Sequence, residues 1–155
     1  MIQVKTAKNN GFELTDKQTT VLLSEGTVSL GSEKISDTGE YELGGVEVVF
    51  GQNAALVIWE QLQFVYVFNL ETPNAFEKEQ FSSCDVVVLA ESTNELNKVV
   101  YSDLMSSYDP SLVIFHKNTA VEKAFRDGLK ITETNLAKVS EQSLPTEGRD
   151  LVVVG

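Results

Sequence analysis

Hydrophobic and polar residues alternate along the first 70 residues, which is the pattern of short strands that bury one face. The alternation predicts strands over residues 2–7, 12–14, 19–23, 39–50, 54–59 and 64–70, with 39–50 forming two strands around Gly44-Gly45. Turn-forming residues separate the strands, as in Asn9-Asn10-Gly11 and Ser24-Glu25-Gly26. The first half of the chain is therefore predicted to be a meander of antiparallel strands.

The pattern changes near residue 72, where continuous apolar runs replace alternation. Residues 85–90 and 112–115 are such runs, and they are typical of strands buried on both faces. Shorter strands are predicted over 129–131 and 151–154.

Helical spacing is clearest over residues 93–108. Leu96, Val99, Val100 and Leu104 fall on one face there, Thr93 is the predicted N-cap, and Asp109-Pro110 ends the helix. Further helices are predicted over 74–81 and over 118–126. In the latter, Val121, Ala124 and Phe125 point inward and Gly128 is the stop.

Strand, helix, strand and helix from residue 85 to 126 form a βαβα unit with parallel strands and a right-handed crossover. The meander then supplies a second sheet, or the antiparallel part of one mixed sheet. The sequence predicts an α/β fold in which residues 1–155 form a single domain, with helices mainly from the C-terminal half.

Composition narrows the classes of partner. Twelve basic residues face 23 acidic ones, giving a formal net charge of -11 and an isoelectric point near 4.5. This charge repels phosphate backbones and anionic lipid surfaces, so neither nucleic acid nor a membrane is expected as a partner. One cysteine, no signal-peptide pattern and no apolar run approaching about 20 residues favour a cytoplasmic protein.

His116 is the only imidazole in the chain and Cys84 the only thiol. A catalytic zinc site usually has three protein ligands, often histidines, and a nucleophile-histidine site needs both groups together. The carboxylates that a fold could bring to His116 are Glu71, Glu91, Asp85 and Asp103, a set suited at best to manganese or iron. Cys84 precedes a buried run, so we expect it to be a small apolar core residue.

Four segments resemble a known family. Residues 37–46, DTGEYELGGV, are similar to the GPGEYEVGGV-like segment of bacterial metallo-β-lactamase-fold hydrolases. DVVVL at 85–89 resembles the family's DVLLIP strand, and DPSLVIFH at 109–116 resembles its PKIVIPxH strand, which ends in a zinc-binding histidine. The tail from Ser143 to Val154 resembles DLPEETxVVVL.

The resemblance implies packed β-sheets of the metallo-β-lactamase type, and His116 at a ligand position. The family's HxHxDH loop has no counterpart here, and only 36 residues precede Asp37, which indicates a shortened N-terminal half. The family's HLGD turn corresponds to Phe68-Asn69-Leu70-Glu71, in which Glu71 alone keeps a carboxylate. His116 and Glu71 are thus vestigial ligand candidates, and no metal, cofactor or catalytic residue is expected.

These departures predict a non-catalytic binding or assembly module of the metallo-β-lactamase fold, with a protein partner or a homo-oligomer. The alternative from another class is a residual metal-dependent hydrolase with an incomplete site around His116 and Glu71. A third alternative is a small-ligand sensor that uses the emptied pocket.

Phe64, Tyr66 and Phe68 alternate along one predicted strand, with Val65 and Val67 on its other face. Either this sheet is packed on both sides, or the aromatic strip is exposed and binds a partner or a second copy of the chain. A shortened relative of a larger fold is also expected to have surface left uncovered where the missing layer would pack.

Overall fold

The computed structural model describes residues 1–7 and 11–155. Its first half is built from strands: β1 (Ile2–Thr6), β2 (Phe12–Thr15), β3 (Thr20–Ser24), β4 (Thr27–Leu30), β5 (Glu33–Ile35), β6 (Gly39–Leu43), β7 (Val46–Phe50), β8 (Ala54–Trp59) and β9 (Leu62–Val67). The predicted meander is confirmed, although β4 and β5 had no prediction. Two residues of the predicted Asn9-Asn10-Gly11 turn lie outside the described residues.

The second half mixes helices and strands: α1 (Ala75–Gln80), β10 (Val86–Leu89), β11 (Ser92–Leu96), α2 (Lys98–Tyr108), β12 (Leu112–His116), β13 (Thr119–Val121), α3 (Lys123–Asp127), β14 (Thr132–Thr134), β15 (Ala137–Val139) and β16 (Asp150–Val154), with a 3₁₀ turn at Glu141–Ser143. No helix within the described ranges combines the length and apolar character needed to cross a bilayer.

Two sheets carry the fold. The first has six strands in the order β15-β1-β2-β3-β4-β5, and the second has eight in the order β14-β16-β12-β10-β9-β8-β7-β6. Strands β9, β10, β12, β16 and β14 run parallel to one another in the second sheet, whereas β8 is antiparallel to β9. Helix α2 connects β10 to β12 as the sequence predicted. A separate parallel pair joins β11 and β13.

The apolar core lies in two layers on either side of the second sheet. Ile2, Val21, Phe64 and Val88 belong to the layer between the two sheets. Val65, Phe81, Val87 and Leu104 belong to the layer between the second sheet and the helices. Both faces of β10 are therefore buried, which explains why its sequence is uniformly apolar rather than alternating.

The outer face of the first sheet carries no helix in the part of the chain that the structure describes. Strand alternation turns Gln3, Lys5, Glu13 and Thr20 outward, and Lys5 and Glu13 lie opposite each other and form an ion pair of 3.6 Å. This face is mainly polar, although Leu22 is 40% exposed on it.

Two predicted helices begin too early. Residues 92–96 form β11 rather than the start of α2, so Thr93 is not its N-cap; the Asn97 side chain accepts from the Val100 N–H at 2.9 Å instead. Val99, predicted to point inward, is 69% exposed. In the same way β13 precedes α3.

The remaining strand and helix details differ less. Ala124 is exposed rather than inward. The strand predicted over 129–131 lies at Thr132–Thr134. β15, which pairs with β1, had no prediction.

Glu77 is a fully buried carboxylate that fixes α1 to the turn between β7 and β8. Its oxygens accept hydrogen bonds from the backbone N–H groups of Asn53, Ala54 and Asn74 and from the Asn53 side chain, at 2.7–3.1 Å. Asn74 and Glu77 also form a reciprocal capping box. The buried charge is thus fully hydrogen-bonded and serves the fold.

Candidate functional site

The carboxyl ends of β9, β10 and β12 meet at one edge of the second sheet. The register pairs Val67 with Leu89 and Leu89 with Phe115, so residues after these positions emerge side by side. Ligands in open α/β sheets bind at this edge of parallel strands, because loops diverge there and leave a crevice. The segments concerned are 68–71, 90–94 and His116.

A cleft of about 360 Å³ opens at this edge, between the two sheets. It is lined by Glu25, Gly26, Tyr66, Phe68, Asn69, Ala90 and Glu91. Glu25 and Gly26 come from the turn between β3 and β4 of the first sheet, and the other residues follow or end β9 and β10. An adjoining groove of about 380 Å³ shares Phe68, Asn69 and Glu91 and extends to Glu71 and Asn94.

The tight β3–β4 turn brings the first sheet against the cleft. Glu25 and Gly26 both have left-handed backbone angles, with φ of 51° and 72°. A Cβ atom at Gly26 would lie 3.3 Å from Cδ1 of Phe68, so the missing side chain allows the turn to approach the ring closely. Phe68 in turn lies 5.7 Å from the Tyr66 ring and 5.3 Å from Phe50, measured between centroids.

Two carboxylates from opposite sheets act on the Tyr66 hydroxyl. Burial raises the pKa of Tyr66 to about 12; the backbone N–H of Gly26 opposes the shift, and the charges of Glu25 and Glu91 add to it. Within the described part of the chain, the ion pairs join other residues, namely Met1 with Glu60, Lys5 with Glu13, and Arg149 with Asp109. The cleft therefore combines a neutral phenol with two carboxylates that have no cation paired to them in the described structure.

His116 lies in the core and does not line the cleft. Its side chain is 1% exposed, and Nδ1 accepts the backbone N–H of Asn118 at 3.0 Å. The ring meets Phe12 of the first sheet edge-on, with centroids 5.1 Å apart and planes at 80°. Since Nδ1 is an acceptor, the proton of the neutral ring belongs on Nε2.

Burial lowers the pKa of His116 below its ordinary 6.5. The charge of Glu91 and the backbone of Gly11 oppose this shift, while the charge of Lys117 adds to it. The imidazole is therefore held neutral between the two sheets, with Glu91 as the carboxylate that reaches it electrostatically.

The four carboxylates proposed as companions of His116 are spread over separate places in the fold, each with contacts of its own. Glu71 and Glu91 line the groove at the cleft edge. Asp85 accepts the Gln63 N–H at 2.8 Å where β10 begins, and Asp103 accepts the Thr72 hydroxyl at 2.8 Å. Within the described residues, no three His, Cys, Asp or Glu side chains come together as a metal site, so these residues do not fit a zinc centre.

Cys84 is buried near the start of β10, and burial raises the pKa of its thiol. This agrees with the prediction of an apolar core residue and places the thiol at the opposite end of the strand from the cleft.

Of the two interpretations of the aromatic strip Phe64, Tyr66 and Phe68, the exposed binding surface is wrong and the sheet packed on both sides is confirmed. Phe64 and Tyr66 are buried between the two sheets, because β9 lies in the centre of the second sheet and is covered on both faces. Phe68, just beyond the strand, is half-buried and forms a wall of the cleft.

Sequence reasoning missed the share of the cleft that comes from the first sheet. Glu25 and Gly26 were recognised only as a turn, and nothing in the sequence relates that turn to residues 66–69 and 90–91. The hydrogen-bonded group around Glu77 does have a local sequence signal. Asn74 is followed three residues later by Glu77, which is the pattern of a capping box at a helix start.

No protein-family model matches the sequence, and no curated protein sequence matches it. The structure is similar to a crystal structure from Thermotoga maritima of a proposed zinc-dependent hydrolase of the metallo-β-lactamase superfamily, with a TM-score of 0.76 and 12% identity over 100% of both chains. At this identity the likeness establishes the fold. The chain has a metallo-β-lactamase-like fold, as the resemblance of its motifs implied. The alignment spans the whole of both chains, so this chain is not shortened relative to this neighbour.

Proposed function

We propose that this chain is a distant, non-catalytic member of the metallo-β-lactamase superfamily that binds a small ligand in the cleft at the strand ends. The position of His116 carries the proposal. The one imidazole of the chain is packed against Phe12 and engaged by the Asn118 N–H, rather than turned toward the cleft among other ligands. A histidine in this position contributes to the core and is not a metal ligand in the cleft. The proposed role of the cleft is therefore to bind a ligand.

The lining of the cleft favours a small organic cation. Glu25 and Glu91 approach from opposite sheets, and the half-buried Phe68 offers aromatic surface in the same cleft. Carboxylates attract ammonium or guanidinium groups, and an aromatic face within about 6 Å stabilises the same charge. A volume of about 360 Å³ is at the lower end of ligand pockets, which suits a ligand the size of a simple amine.

The competing function is the residual hydrolase with an incomplete site around His116 and Glu71. Glu71 is exposed in the adjoining groove and His116 is buried, so a shared metal would require the imidazole to leave its core position. Elemental analysis of protein purified without chelator separates the two proposals. Stoichiometric metal that is lost in His116→Ala would support the hydrolase and contradict the binding module.

Titration by NMR with butylammonium and guanidinium, and with the anion acetate as the control of opposite charge, tests the ligand class. We expect the two cations to shift the resonances of Phe68, Asn69 and Glu91, and Glu91→Gln to weaken their binding about five- to tenfold, since a charge-assisted contact is lost. Glu95→Gln is the matched control, because Glu95 is exposed on β11 and does not line the cleft. Equal weakening in both variants, or equal shifts with acetate, would contradict a cation-binding cleft.

A further inference from the structure

One end of the second sheet has an outer face that the chain's own helices leave uncovered. On this side of the sheet, the buried layer facing the helices includes Ala54 and Leu56 of β8 but only borders on Val49 of β7 and Ile58 of β8. Both of these residues are half-buried apolar side chains. The helix-side core thus ends at Val49 and Ile58, which form its apolar margin.

Three glutamates surround this margin on the same face. The β6–β7 register places Glu42 directly opposite Glu47 and Glu40 opposite Val49, and Glu47 also lies opposite Ile58 of β8. All three carboxylates are exposed, and the described ion pairs join other residues. Like charges directly opposite across two strands repel each other, while the Glu42 carboxylate also accepts the Gly45 N–H at 2.7 Å in the β6–β7 turn.

Protection of a sheet edge explains part of this pattern. Charged residues on an edge strand prevent unwanted pairing with other chains, and β6 is the edge strand that carries Glu40 and Glu42. Glu47 lies on β7, an inner strand, and edge protection gives no reason for a carboxylate there beside Val49 and Ile58. Edge protection therefore does not explain why apolar Val49 and Ile58 lie among acidic residues. Together these residues line a concave region of about 420 Å³.

We propose that the outer face of β6, β7 and β8 is a docking surface for a basic amphipathic helix of a partner protein. The apolar side of that helix packs on Val49 and Ile58 and continues the layer that α1 and α2 begin. Its lysines and arginines neutralise Glu40, Glu42 and Glu47 and remove the repulsion between Glu42 and Glu47. The surface shares no residue with the strand-end cleft.

Charge decides against a second copy of this chain as the occupant. A symmetric dimer joins the same patch of both copies, so it would place these glutamates against each other. The net charge of -11 adds a general repulsion between copies.

The test uses a fluorescein-labelled peptide of about 18 leucines and lysines ordered as an amphipathic helix (about five turns), and a peptide of the same composition in scrambled order. We expect the ordered peptide to bind and added salt to weaken it. Glu47→Gln and Glu40→Gln should each weaken it about two- to fivefold, as exposed ion pairs do. Val49→Thr combined with Ile58→Thr should weaken it about tenfold through lost apolar burial.

Glu133→Gln is the matched control, because Glu133 is exposed on β14, the opposite edge strand of the same sheet. Glu47→Gln removes a repulsion and is expected to fold, which circular dichroism checks. Equal weakening by Glu133→Gln, equal binding of the scrambled peptide, or no binding of either peptide would overturn the proposal. New hydrogen-exchange protection confined to β6 amides would overturn it in favour of strand addition, and a dimer that Glu47→Gln strengthens would overturn it in favour of self-association.

Discussion

At the scale of single residues, the fold opposes the protonation of His116. Its ring is buried between the sheets, its Nδ1 already accepts a backbone N–H, and the Phe12 ring packs against it at an angle of 80°. Burial lowers its pKa below 6.5. The unfolded chain therefore binds a proton near pH 6.5 that the folded chain does not yet bind, and acid favours unfolding through this group.

We predict that the free energy of unfolding falls as the pH is lowered from 7 toward 5, because the unfolded state then carries more protons than the folded state. One histidine limits the slope to about 1.4 kcal/mol per pH unit. Urea unfolding at several pH values measures it. The chain has no other histidine, so His116→Gln should flatten the dependence in this window, and parallel curves for both proteins would contradict the assignment.

At the scale of single elements, α2 shows how a cap determines where a helix starts. Asn97 has an extended backbone and its side chain accepts from the Val100 N–H at 2.9 Å, whereas Thr93 lies within β11. The strand forms because Ser92 and Leu96 pair with Thr119 and Val121, more than 20 residues away.

We predict that Asn97→Ala lowers the free energy of unfolding by about 1 kcal/mol, since the Val100 N–H loses its partner. Thr93→Ala is the matched control and should change stability by no more than about 0.5 kcal/mol, the range of exposed substitutions. Thermal or urea unfolding measures both. A larger effect at Thr93 would indicate that the helix begins where periodicity alone predicts.

Long or strongly patterned elements were readable from the sequence because local residues determine them. Val86–Leu89 is apolar throughout since both of its faces are buried, and Gly44-Gly45 joins two alternating strands. The short strands β4, β5, β11, β13 and β15 were missed because three to five residues carry too little pattern, and distant pairing forms the last three. The same reason hides the cleft: Tyr66, Glu91 and Glu25 are far apart in sequence, and only the packing of the two sheets brings them together.

At the scale of the whole molecule, both sheets share one buried layer. Ile2, Leu14 and Val21 of the first sheet pack in the same cluster as Val48, Trp59 and Phe64 of the second. The outer face of the first sheet is mainly polar, so that sheet buries its apolar surface against the second. Neither sheet keeps a complete core when the other is removed.

We therefore predict one cooperative unfolding transition for residues 1–155. The chain has a single tryptophan, Trp59, so its fluorescence reports on the second sheet, while far-ultraviolet circular dichroism reports on both. The two urea transitions should coincide, and Leu14→Ala in the first sheet should lower both midpoints together, at a cost of about 2–5 kcal/mol for a buried leucine. If Leu14→Ala shifted the circular dichroism transition and left the Trp59 transition in place, the two sheets would be independent units, and the prediction of a single domain would be wrong.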